Sequence, residues 1–175
     1  DYQRAKTLAA DVHPDARRHL AERPDVQPEI LYYLAEEEDV EVRAAIAGNL
    51  QTPRRADLIL AKDADYGVRE RLAHKIGRLA PQLSAEEHRH IRELSFEVIS
   101  ILASDRTMRI RQIVAEALKD LTDVPAEVIR RLARDVEIEV AGPILECSPL
   151  LDDDELIDII VSAPIQGALT AIARR

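Results

Sequence analysis

Apolar residues recur along this chain at a fixed set of offsets, and that pattern decides the fold before any local propensity is consulted. With Leu8 as position zero, Ala9 follows at one, an acid (Asp11) at three, Ala16 at eight, Arg17 at nine, Leu20 at twelve and Ala21 at thirteen. From Leu34 the same offsets hold Ala35, Glu37, Val42, Arg43, Ile46 and Ala47, and from Leu60 they hold Ala61, Asp63, Val68, Arg69, Leu72 and Ala73. From Leu102 they hold Ala103, Asp105, Ile110, Arg111, Val114 and Ala115. A fifth copy from Leu132 keeps Ala133, Asp135 and Val140 but has Ala141 at the Arg position, and a weaker sixth from Ile160 keeps Ala168, Ile172 and Ala173. Offsets eight, twelve and thirteen share one face of a 3.6-residue helix.

Each copy reads as two helices. The first ends at the Leu-Ala pair, with Pro28, Pro53 and Pro125 marking helix starts upstream, where a missing N–H costs nothing. Thr52 is the expected N-cap beside Pro53. The second helix is expected to be capped by Asp39, Asp65 or Thr107, or opened by Pro14, with Gly48 and Gly77 marking ends. A single pair cannot bury its apolar face, so the pattern predicts an all-α, right-handed solenoid of about six stacked pairs. We read residues 1–175 as one such domain: short repeats over 1–80, a long inserted helix at about 84–103, and repeats over about 104–175. No polar capping helix follows the sixth copy, which reads as a solenoid cut short at its C-terminal end.

The stretch VRAAIAGNLQTPRRADLILAKDADYGVR resembles the leucine-rich variant repeat, a short relative of the HEAT repeat, over about the first 75 residues. Further on, LARDVEIEVAGPILECSPLLDDDELIDII resembles an alphaproteobacterial HEAT-like family of unassigned function. These resemblances imply a helical solenoid in a bacterial cytoplasm and no activity. Some leucine-rich variant proteins carry an N-terminal cysteine cluster for iron–sulfur binding. Here Cys147 stands alone, so that cofactor does not transfer.

Departures from the repeat are where function can sit. Ser84-Ala85-Glu86-Glu87 reads as a capping box opening a helix at about 85–103, with Ile91, Leu94, Val98, Ile101 and Leu102 as its buried stripe. Val140-Ala141-Gly142-Pro143 loses the repeat's Arg and carries a proline, so a helix starting late, near Val140, is expected. A changed stacking angle is one reading of this break and a partner-binding notch the other. Asp152-Asp153-Asp154-Glu155 lacks the alternation and central Gly of a calcium loop and reads as helix capping. The recurring acid and Arg read as a structural ladder, with each Arg bridging to the acid or backbone carbonyls of the next repeat, rather than as a functional anion site, which would need an exposed cluster.

Composition narrows the function classes. Ala, Leu, Ile and Val supply 74 of the 81 apolar residues, which fits a close-packed helical stack and leaves few aromatic rings for stacking on bases. The net charge is −9, and the segments 1–80, 81–133 and 134–175 carry −2, −1 and −6, so no segment is basic. That argues against nucleic acid as the partner. No apolar run is long enough for a membrane span. The five His include no HExxH and no His-Glu pair, so HEAT-like di-iron chemistry is not indicated. No phosphate-binding loop occurs. Cys147 has no basic neighbour in sequence and reads as a core thiol, and Ser148 as a turn or cap. No catalytic residue, metal or cofactor is indicated.

The expected function is therefore a non-catalytic scaffold that binds a protein or peptide on its concave surface. Offsets ten, eleven and fourteen of the second helices should be exposed there. They give Arg18 and His19 with Glu22, then Ala44, Ala45 and Gly48, then Glu70, Arg71 and His74, then Gln112, Ile113 and Glu116. The alternative is an anion or nucleic-acid site built from Arg18, Arg71 and His74 in a local stripe.

Overall fold

In a computed structural model that describes residues 2–83, 89–162 and 165–175, the chain is all-α, with twelve helices among the described residues. They pair as the offsets require: α1 (Tyr2–Ala9) with α2 (Pro14–Ala21), α3 (Pro28–Leu34) with α4 (Val40–Gly48), and α5 (Arg54–Leu60) with α6 (Tyr66–Leu79). After a short 3-10 turn at Ala80–Gln82 come α7 (Arg89–Leu102) and α8 (Met108–Leu118), α9 (Ala126–Ala133) and α10 (Ile138–Cys147), and α11 (Asp153–Ser162) and α12 (Ala168–Ile172). The chain forms two compact units, Asp1–Lys75 and Ile76–Arg175, with the division inside α6.

The hairpin partners α1 and α2, α3 and α4, α7 and α8, α9 and α10, and α11 and α12 pack on each other, and helices pack on the helix two along: α1 on α3, α2 on α4 and α3 on α5 in the first unit, α8 on α10 and α10 on α12 in the second. The repeat positions are the core. Leu34, Leu60, Leu102 and Leu132 are buried, as are Ile46, Leu72, Val114 and Ile144 at offset twelve. The Ala at offsets one and thirteen let neighbouring helices approach. Gly77 lies inside α6 rather than at its end, and a Cβ there would stand 3.0 Å from Ala117 Cβ, so this glycine serves close packing. In the sixth repeat Ile157 and Val161 are exposed, at positions that are buried in the five preceding copies.

The acid and Arg form the expected ladder, with a sharper rule. Arg17, Arg43 and Arg111 each reach forward to the acid of the next repeat and clamp the turn of their own. Arg43 donates from Nε to Asp63 Oδ2 at 2.7 Å and from NH1 to the Glu37 carbonyl at 2.7 Å. Arg111 does the same with Asp135 (2.6 Å) and the Asp105 carbonyl (2.8 Å), and Arg17 bonds Glu37 and the Asp11 carbonyl. The carbonyls thus belong to the Arg's own turn, not to the next repeat. Hydrogen bonds to Asp63 and Asp135 raise the pKa of Arg43 and Arg111. The rule also explains the break: Arg is replaced by Ala141 where the next acid position is Ala163, so both partners of that rung are absent together.

Other local expectations meet mixed outcomes. Asp39 and Asp65 cap α4 and α6, each accepting from two backbone amides, and Asp152 with Glu155 forms a reciprocal capping box at the start of α11. Thr52 is not the N-cap of α5: Pro53 is, and buried Thr52 donates to the Ile46 carbonyl. Helix α10 starts at Ile138, ahead of Val140, and carries Pro143 in its interior. In α7 the buried residues are Ser95, Val98, Ile99 and Leu102, whereas Ile91 is exposed and Leu94 and Ile101 are half-buried. The capping box at Ser84-Ala85-Glu86-Glu87 lies outside the described residues.

Candidate functional site

The second helices carry a further position that the repeat pattern left unremarked. At offset fifteen a polar side chain reaches back to the preceding repeat's second helix and satisfies carbonyls left open at its end. Asn49 donates to the carbonyls of Ala21 (2.6 Å) and Arg23 (2.9 Å), Lys75 to that of Asn49 (3.2 Å), and Arg175 to those of Leu145 (3.1 Å), Ser148 (2.6 Å) and Leu151 (3.1 Å). Lys75 also bonds Asp57, whose second oxygen takes 2.8 Å from Arg54 NH1. Lys75 and Asp57 are both buried, and burial pulls the Lys75 ammonium below its usual pKa. In the fourth and fifth repeats offset fifteen is Ala117 and Cys147, so the long donor is replaced by something small.

In the fifth repeat, that replacement borders a cleft of about 450 Å³ in the second unit, lying across α8, α10 and α12. Its walls come from offsets ten, eleven and fourteen of the last repeats: Glu116 from α8, Gly142, Pro143 and Glu146 from α10, and Thr170, Ala171 and Arg174 from α12 and the residues after it. Ile138 and Gly167 close one side. Gly167 has a left-handed backbone (φ 93°), and a Cβ on it would stand 3.1 Å from Ile138 Cγ1, so glycine is required twice over. Cys147 and Lys119 complete the lining.

The charges of the cleft balance. Lys119 Nζ sits 3.0 Å from Glu116 Oε2, and that hydrogen bond raises the lysine's pKa. Arg174 is mostly exposed and only 3.9 Å from Glu146, a loose pair that leaves its guanidinium donors available. Two acids and two cations therefore rim a floor of Gly, Pro and Ala. Pro143 removes one intrahelical N–H from α10. The half-buried Cys147 is not a closed core thiol, and Lys119, remote in sequence, lines the same cleft. Ser148 is buried at the end of α10, where its Oγ accepts from the Leu150 amide.

The sequence-derived strip is only partly exposed. His19, Arg71, His74 and Glu116 are exposed, as is Gly48. Arg18 is half-buried and paired with Asp15 at 3.3 Å, Glu70 accepts from the Tyr66 hydroxyl at 2.6 Å, and Gln112 is half-buried. Ala44, Ala45 (4% exposed) and Ile113 (8%) are buried, against expectation, because neighbouring helices cover them. Among these residues only Glu116 lines the cleft. Its other strip positions follow the same offsets two repeats further on, so extending the register to Leu132 and Ile160 would have found them.

Among the described residues no three His, Cys, Asp or Glu are grouped to hold a metal ion, and no helix is long and apolar enough to cross a membrane. Neither the family models nor the curated proteins contain a match to this chain.

Proposed function

We propose that this protein is a non-catalytic helical-repeat scaffold whose second-helix surface binds a protein or peptide partner, and that the cleft across α8, α10 and α12 is the principal contact. The observation that carries this reading is the cleft itself, which opens where offsets ten, eleven and fourteen of the last two repeats place Gly142, Pro143, Glu146, Thr170, Ala171 and Arg174 on one surface. Its floor of Gly142, Pro143 and Ala171 lets a partner's backbone approach, and its rim offers both an acceptor in Glu146 and donors in Arg174. A small apolar floor with a mixed-charge rim suits a polypeptide segment. The loss of the ladder Arg and the offset-fifteen donor in the fifth repeat fits the notch reading of that break.

The test is capture from an extract of the source organism with the 175-residue chain as bait, scored by mass spectrometry. A specific partner should be lost when Gly142→Leu fills the cleft and Arg174→Glu reverses its rim. A partner retained in full by that double variant, with unchanged circular dichroism, would refute the assignment.

A further inference from the structure

A different surface of the first unit carries its own recognition chemistry. Three of the chain's four tyrosines, Tyr2, Tyr32 and Tyr33, lie on first helices and are 46%, 44% and 70% exposed. They wall two cavities side by side. One, of about 360 Å³, lies between α1 and α3, with Tyr2 and Tyr33 as walls over Ala9 and Ile30. The other, of about 450 Å³, lies between α3 and α5 and is walled by Tyr32, Pro28 and Pro53. Glu29 belongs to both, while Lys6 and Arg55 stand at the outer ends.

We propose that this first-helix face docks a proline-rich segment of a partner polypeptide in the polyproline II conformation. The spacing selects that conformation. The cavities lie in successive gaps between packed helices, and such helices sit roughly 8–10 Å apart. A polyproline II strand advances about 9 Å per three-residue turn, so one strand running across the three helices places equivalent residues in both cavities. The chemistry selects the residues. Proline rings pack on aromatic walls, and a preformed strand loses little entropy on binding. The charge selects one of the two residues between the prolines that enter the cavities: Glu29 is the acid shared by the cavities, so a basic side chain belongs there. This surface is separate from the α8–α10–α12 cleft and does not depend on its role.

Fluorescence anisotropy with the full 175-residue chain tests this. The probe is a labelled synthetic peptide of four prolines, one arginine and four prolines. Controls replace the arginine with glutamate, or the prolines with glycine and serine. The arginine peptide should bind saturably, about tenfold more tightly than the glutamate peptide. Tyr2→Ala with Tyr33→Ala, at exposed positions where folding is not at stake, should weaken it at least about tenfold. Glu29→Lys should reverse the charge preference. No saturation by about 1 mM, equal binding of the glycine–serine peptide, or no effect of the tyrosine pair would overturn the proposal. So would displacement of the peptide by single-stranded oligothymidine at equal concentration, which would assign the face to nucleic acid.

Discussion

Lys75 and Asp57 form an ion pair inside the first unit, with the remaining Asp57 oxygen held by Arg54 and a second Lys75 proton held by the Asn49 carbonyl. Such a pair is costly to break and inexpensive to replace as a whole. Lys75→Met should therefore destabilise the protein by about 3 kcal/mol in urea unfolding, because Asp57 is left buried with one partner. Lys75→Met combined with Asp57→Leu should recover most of that loss, since Arg54 is half-buried and can turn to water. If the double variant were as unstable as the single one, the pair would be stabilising outright. Neither residue was legible as a pair in the sequence. They are 18 positions apart, Asp57 takes a repeat position that is apolar in the other copies (Ala5, Leu31, Ile99, Ile129, Ile157), and only the folded chain brings the Lys75 ammonium onto the Asp57 carboxylate. The Arg ladder was legible, because its members repeat at fixed offsets and each rung is read several times.

At the scale of the element, α10 departs furthest from its relatives. Pro143 deprives the Glu139 carbonyl of its intrahelical donor, and that residue lies near solvent, where water can replace the bond. Proline's preference for the first helical turn predicts a start near Val140. The structure instead starts α10 at Ile138, because Val140, Ala141, Ile144 and Leu145 must stay in register with the buried face, and tertiary burial outweighs one lost bond. Pro143→Ala should accordingly raise the melting temperature by roughly a few degrees, measured by circular dichroism. The same substitution should weaken the partner captured through the cleft. An unchanged or lowered melting temperature would mean that the ring's contacts at the cleft floor outweigh the restored hydrogen bond. α7 shows the complementary limit: its helical period was legible, but its buried face is turned toward Ser95 and Ile99, a rotation that only the neighbouring helices fix.

At the scale of the molecule, a stack of helix pairs holds itself together through nearest neighbours, so damage should stay local. Leu72→Ala in the first unit and Leu132→Ala in the second each remove a fully buried side chain and should each cost about 2–5 kcal/mol. In hydrogen exchange, Leu132→Ala should lower protection in α8 to α12 and leave α1 to α4 near their original protection; a uniform loss along the chain would contradict nearest-neighbour stacking. By itself the sequence determined the helix pairs, their number, the aliphatic core and the Arg–acid ladder, because each is written several times at a constant offset and repetition averages out local ambiguity. Only the tertiary structure decided which strip positions are covered, as at Ala45 and Ile113, that Cys147 and Lys119 share a cleft, and that Tyr2, Tyr32 and Tyr33 line one face. Those outcomes depend on the volumes of neighbouring side chains and on contacts between residues far apart in sequence, and neither is carried by a periodic pattern.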